Sequence, residues 1–127
     1  MASDDAATLG ALKELLDAFN RHDLDAIMKL FAEDAILEMP RGPHPWGQRY
    51  AGKAQVREGL ASRFAGLPDV HYEEHRSWAC GDMGVSEWTL TGTTPSGTRL
   101  EVRGTDHYEF RAGQVVRKDA YWKIVEK

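Results

Sequence analysis

The stretch Thr98 to Trp122, TRLEVRGTDHYEFRAGQVVRKDAYW, constrains the fold of this chain more than any other. Two alternating runs flank Ala112-Gly113, which predicts two long antiparallel strands joined by a tight turn. Successive side chains of a strand point to opposite faces. Leu100, Val102, Gly104, Asp106, Tyr108 and Phe110 therefore share one face of the first strand. Arg99, Glu101, Arg103, Thr105, His107, Glu109 and Arg111 share the other, where charges meet water. Asp106 is the only carboxylate on the otherwise apolar or small face. On the return strand Gln114, Val116, Lys118, Ala120 and Trp122 fall together, which makes Lys118 a candidate partner for it. Asp119 and Tyr121 fall on the opposite face.

The preceding chain supplies what such a sheet packs against. Ser3, Asp4 and Asp5 are N-cap candidates for a first helix, along which Leu9, Leu12, Leu15, Leu16 and Phe19 recur at helical spacing. Asn20-Arg21-His22 ends it. Asp23 is placed to cap a second helix whose buried face is Leu24, Ile27, Leu30 and Phe31. Ala35 to Met39 reads as a short strand stopped by Pro40. The following RGPHPWGQRYAG, with its prolines and glycines, reads as an irregular loop, and His44, Trp46, Arg49 and Tyr50 make it a candidate lid. A third helix is expected from Lys53 to Phe64. Strands follow over about Val70 to Ala79 and Gly84 to Thr94, ahead of the hairpin. Helices first and antiparallel strands last predict an α+β layer arrangement, in the order ααβαββββ, within one domain spanning residues 1–127.

Composition narrows the function classes. The 127 residues carry a formal net charge of −4 and no Lys/Arg run, which argues against a nucleic-acid surface. The single cysteine, Cys80, excludes an internal disulfide framework and a cysteine-based zinc site, and beside a turn it is expected to be small and partly buried. No apolar run is long enough to span a bilayer, and the acidic, polar first residues do not read as a secretory signal. A cytoplasmic protein without membrane contact is expected. His71 and His75 share a strand face at too long a reach for one metal, so no metal site is expected, and no serine sits in a nucleophile elbow. Asp106 stands apart because burial on an apolar face disfavours the charged carboxylate, raises its pKa and suits it to acid/base work. An Asp106–Lys118 ion pair without chemistry explains the same placement.

Four segments resemble the NTF2-like (cystatin-like) superfamily, and within it the SnoaL-like and ketosteroid-isomerase-like enzymes. They are LKELLDAFNRHDLDAIMKLFAEDAILEMPRG, YAGKAQVR, GTDHYEFRAGQVVRKDAYW, and the aromatic pair Tyr121-Trp122. The resemblance implies a cone in which a strongly curved antiparallel sheet wraps three helices around an apolar pocket. It also implies a homodimer. Asp106 matches the pocket aspartate that ketosteroid isomerases keep protonated as an oxyanion donor, and SnoaL-like cyclases place an acid/base carboxylate in this region. Trp122 matches a pocket aromatic. Other positions depart from the isomerases: Met39 stands where their general base is, Glu38 should point away, and Phe19 and Phe31 replace hydroxyl donors. The paired histidines of scytalone dehydratase and the Asp-Arg-Asp set of limonene epoxide hydrolase are not evident, Ala120 standing at the last acid position. A standard steroid isomerase is not implied.

These readings together predict a cofactor-independent acid/base enzyme, of isomerase, cyclase or dehydratase type, acting on a small hydrophobic carbonyl compound. Asp106 would handle the proton and Lys118 would tune it or hold an oxyanion. Phe19, Phe31, Met39, Trp88, Leu90, Tyr108 and Trp122 would wall the pocket, with His44, Trp46 and Tyr50 at its mouth. A binding module for an apolar ligand and a protein-interaction dimer like the nuclear transport factor remain open alternatives. The charged outer face predicts a homodimer through the sheet. Sedimentation at micromolar concentration is expected to give twice the chain mass, and a monomer there overturns the expectation.

Overall fold

The computed structural model describes residues 2–126, with side chains from Asp5 to Glu126. Three helices, α1 (Ala2–Asn20), α2 (Leu24–Lys29) and α3 (Lys53–Gly66), pack on six strands. The strands are β1 (Phe31–Glu38), β2 (Arg49–Ala51), β3 (His71–Cys80), β4 (Met83–Thr93), β5 (Arg99–Arg111) and β6 (Gln114–Trp122). They form one sheet in the order β2-β1-β6-β5-β4-β3. No described helix is long and apolar enough to cross a membrane.

The expected order of elements holds, with two corrections. The sheet is mixed, because β1 runs parallel to β6. Leu30 is the C-cap of α2 and Phe31 already belongs to β1, so the chain leaves the helix with no room to reverse before pairing. The stretch after Pro40 is also not wholly irregular, since Arg49–Ala51 folds back as an edge strand against β1. Gly47 makes this return possible. Its φ of +79° is left-handed, and a Cβ there would lie 2.1 Å from the Met39 carbonyl oxygen.

The first helix is held at both ends by the sheet. Ser3 and Asp4, offered as caps, have side chains outside the described residues. Asp5 caps the β3–β4 turn instead, its Oδ1 accepting from Gly81 N at 2.6 Å, while Thr8 Oγ1 donates to Gly81 O at 2.7 Å. At the other end Asn20 serves both main-chain groups of Tyr72: its Nδ2 donates to the carbonyl at 2.9 Å and its Oδ1 accepts from the amide at 2.8 Å. This covers part of the free edge of β3. Asp23 caps α2 as expected, accepting from Ala26 N at 3.0 Å. Leu12, Leu15 and Phe19 are buried, whereas Leu9 turns outward. Cys80, expected to be partly buried, is exposed.

Bulges bend the sheet around this core. Register shifts fall between Glu74 and Arg76 on β3 and between Glu109 and Phe110 on β5. Such irregularities raise local twist and turn a strand. The second corrects the face expected for β6. Phe110 pairs with Val115 while Glu109 pairs with Arg117, so Val116 is the extra residue and Val115 is the buried one. Beyond the bulge Lys118, Ala120 and Trp122 point inward as expected.

At Gly104 two elements meet too closely for any side chain. A Cβ there would lie 2.5 Å from Trp88 Cη2 and 2.6 Å from the Tyr121 carbonyl oxygen. Gly104→Ala is expected to cost about 1–3 kcal/mol of stability through overpacking. Urea unfolding monitored by tryptophan fluorescence checks this, with the midpoint falling at unchanged slope.

Candidate active site

The buried alternation of β5 delivers Asp106 to the interior at 6% exposure, level with Ser86 on β4 and Ala120 on β6. Lys118, two residues from Ala120 on β6 and opposite Tyr108, is also 6% exposed. Its Nζ donates to Asp106 Oδ1 at 3.1 Å, and the indole Trp88 Nε1 donates to Oδ2 at 3.0 Å. Both carboxylate oxygens thus accept from fixed donors. That is an arrangement for an anion, and it differs from the protonated-donor role expected for Asp106 from the resemblance. The Lys118 ammonium lies 5.5 Å from the Phe19 ring centroid and 5.9 Å from that of Tyr108. Aromatic faces replace part of the water it has lost.

Two small voids border this pair, each of about 10 Å³, room for about one water. The inner one lies between α1 and the sheet, against Leu12, Leu16, Phe19, Ser86 and Tyr108. The outer one reaches toward α3 and the open end of the cone, against Met39, Pro40, Leu60, Arg63 and Trp122. Phe19, Tyr72, Trp88, Asp106 and Lys118 touch both. Beyond Pro40 and Trp122 lies a groove of about 690 Å³.

The structure brings together most of the expected site residues: Asp106, Lys118, Phe19, Met39, Trp88, Tyr108 and Trp122 line the voids. Five expected residues do not. Phe31 and Leu90 are fully buried packing residues elsewhere in the core. His44 and Trp46 stack on each other, 4.9 Å between centroids, with the Arg49 guanidinium 4.6 Å over the Trp46 ring. Arg49 is drawn to the outer face by Glu38, and the loop aromatics follow it away from the pocket. Tyr50 packs its ring on α3 where Gly59 leaves space.

Tyr72 and Arg63 are among the lining residues that were missed. Tyr72 alternates inward with Val70, and Arg63 follows Leu60 by three residues on the apolar stripe of α3, so the sequence periods carried both signals. Burial, then the Asp106 charge, then Tyr72 push the Tyr108 phenol well above its ordinary pKa. Burial likewise raises Tyr72, against the opposing pull of the Arg63 guanidinium beside it. Both phenols therefore stay protonated donors near neutral pH.

On the opposite face Glu38 points away from the pocket, as alternation required, yet it is 1% exposed. Arg49 Nε and Nη2 donate to its Oε2 at 2.9 and 2.7 Å, and Arg117 Nε and Nη2 to its Oε1 at 3.1 and 2.5 Å. Arg117 also reaches Glu109 and Asp119. The network ties β2, β1, β6 and β5 together behind the site.

The sequence profile of the SnoaL-like domain family matches residues 12–118. The chain belongs to the SnoaL-like family. Its fold is shared with a candidate polyketide cyclase from Xanthomonas campestris pv. campestris, at a TM-score of 0.83 and 21% identity over 94% of this chain and 93% of that one. TerC, co-crystallised with polyporic acid, gives 0.80 at 20% identity, covering 92% of each chain. An NTF2-like protein of unknown function from Mesorhizobium loti gives 0.78 at 26% identity over 94% and 93%. No curated protein sequence matches the chain. These likenesses establish the NTF2-like, cystatin-like α+β fold.

Burial opposes ionisation of Glu38, but the hydrogen bonds from Arg49 and Arg117 outweigh it and hold the carboxyl below its ordinary value. A depressed folded-state pKa contributes stability above the unfolded value, and that contribution is lost as pH falls through the folded one. Glu38→Gln is expected to cost about 1.5–3 kcal/mol at neutral pH. The gap between the two proteins should stay constant above the ordinary glutamate value of 4.5 and close as pH drops below it. Denaturant unfolding of both proteins across that range checks the sign.

Proposed function

We propose that this chain is a cofactor-independent acid/base enzyme acting on a small hydrophobic carbonyl compound, with Asp106 as the proton-transfer group. One observation carries the reading: a buried carboxylate, fixed at both oxygens by Lys118 Nζ and Trp88 Nε1, sits where two voids meet. An ionised carboxylate offers about four lone-pair sites, so two accepted bonds leave others free to face a substrate. In this arrangement Asp106 works as a base. It removes a proton from the carbon next to the carbonyl, and the C–H electron pair moves into the carbonyl to form an enolate oxygen. The Lys118 ammonium and the Tyr72 and Tyr108 phenols are the donors near enough to hold that oxygen. Return of the proton to another carbon isomerises the substrate. Alternatively, the enolate carbon attacks a second carbonyl, whose π pair moves onto its oxygen. That alkoxide takes back the proton held by Asp106, closing a ring as an alcohol. Both routes balance without a cofactor.

Family membership supports the class of chemistry, and a fold neighbour crystallised with polyporic acid supports a small organic ligand. The voids are far smaller than the roughly 300–1,000 Å³ that ligand pockets commonly offer. Binding on this reading requires apolar side chains at the open end, Met39 and Leu60, to give way. A homodimer through the outer face of the sheet remains part of the proposal. It is supported by Tyr121, 54% exposed and packed at a tilt against His107 with 5.2 Å between ring centroids.

Asp106→Asn keeps an oxygen for the Trp88 indole and removes the base. Against a panel of enolisable aromatic and polycyclic ketones, the substrate that wild type turns over is expected to lose roughly a hundred- to ten-thousand-fold in kcat. Undiminished turnover by a folded Asp106→Asn protein overturns the assignment.

A further inference from the structure

We propose that the ligand of the cone is an apolar monoanion and that Arg63 on α3 anchors its charged group. The inference rests on reading the interior as a small-molecule site and narrows the class of molecule it takes.

Arg63 borders the outer void with Asp106 and Lys118. Among the described residues no carboxylate lies within 4.0 Å of its guanidinium, while Asp106 is already matched with Lys118. The group sits instead over the Trp122 ring, 4.5 Å from the centroid. Stacking of this kind occupies the face of the guanidinium; part of its edge is turned to the Tyr72 hydroxyl, and its remaining in-plane N–H donors suit a carboxylate or similar anion.

The charge around the voids points the same way. Two cations and one carboxylate line them, so a ligand with a single negative charge makes the closed site neutral. The chain as a whole carries −4, which makes this local excess of positive charge a property of the site. The groove outside continues it. Arg41, Arg99 and Lys123 line the groove against one acid, Glu101, and among the described residues only Arg99 of these cations has a carboxylate near, Asp69 at 3.9 Å. A cleft lined by one sign of charge concentrates the opposite ion at its mouth.

Apolar side chains fill the spaces between the cations. Leu100, Val102, Ile124 and Val125 wall the groove, and Trp122 with Pro40 separates it from the outer void. A flat hydrophobic body therefore lies along the groove with its acidic group turned onto Arg63. Deeper in, the Tyr108 hydroxyl belongs to a side chain only 3% exposed that lines the inner void with Asp106 and Lys118. It stands ready to donate to a ligand oxygen that passes Asp106. A carboxylate or an acidic enol on an aromatic or polycyclic frame meets all these conditions.

Two fluorescent probes with the same aromatic frame test this: anilinonaphthalene sulfonate, a monoanion, and phenylnaphthylamine, its uncharged parent. Wild type is expected to bind the sulfonate roughly tenfold or more tightly than the parent. Arg63→Gln is expected to remove that preference while leaving the affinity for the parent unchanged, and Arg63→Lys to restore it in part. Equal affinities in wild type overturn the proposal. So does an Arg63→Gln protein that keeps the preference, or one that loses both probes alike. Asp106→Asn separates this inference from the catalytic reading, because it removes the negative charge of the site. Sulfonate binding should hold or tighten in that variant even if its turnover is unaltered.

Discussion

The buried pair of Asp106 and Lys118 sets the terms on which the interior is built. Taking two charges out of water costs several kcal/mol for each ion, and their attraction repays this only when geometry and further hydrogen bonds are good. Trp88 and the flanking aromatic rings meet that demand, which ties three strands to one register. Asp106 comes from β5, Trp88 from β4 and Lys118 from β6, so a slip of either neighbour by one residue would leave a charge among Leu, Phe and Tyr side chains. Gly104 belongs to the same constraint, since the Trp88 ring occupies the space a side chain would need. The pair specifies the arrangement, while the surrounding apolar core from α1, α3 and the sheet supplies the driving force for folding.

The two faces of the sheet handle charge in different ways. Inside, one carboxylate is matched by one ammonium and a neutral indole, and any further cation is left for a ligand. Outside, Glu38 is gripped by two half-exposed arginines whose remaining donors reach Glu109 and Asp119. That outer network spans the parallel β1–β6 pair and the short edge strand β2. It also explains why the aromatic loop does not cover the pocket: Trp46 follows Arg49, and Arg49 follows Glu38.

Much of the site was legible because a strand period of two survives along β5 without interruption. That period alone put Asp106 inside, and its continuation placed Lys118, Ala120 and Trp122 there as well. It failed at Gln114 and Val116, where the bulge inserts an extra residue and reverses the faces. Arg63 and Tyr72 also sat on the inward stripes of their elements, but neither residue was singled out. The error at His44, Trp46 and Tyr50 has another cause. A loop of prolines and glycines has no period, so residue type alone suggested a lid, and nothing local reported the arginine that directs it.

Alternation and helical spacing, which depend on neighbours a few residues apart, determined the elements, their order and the inward carboxylate. Tertiary structure decided what those periods do not encode. It made β1 parallel to β6, closed the cone to two water-sized voids, and supplied Asp106 with the Trp88 indole from across the sheet. It also left Arg63 at the open end with no carboxylate within 4.0 Å among the described residues. Each of these depends on groups far apart in the chain meeting in space, which chain direction, bulges and charge pairing settle together.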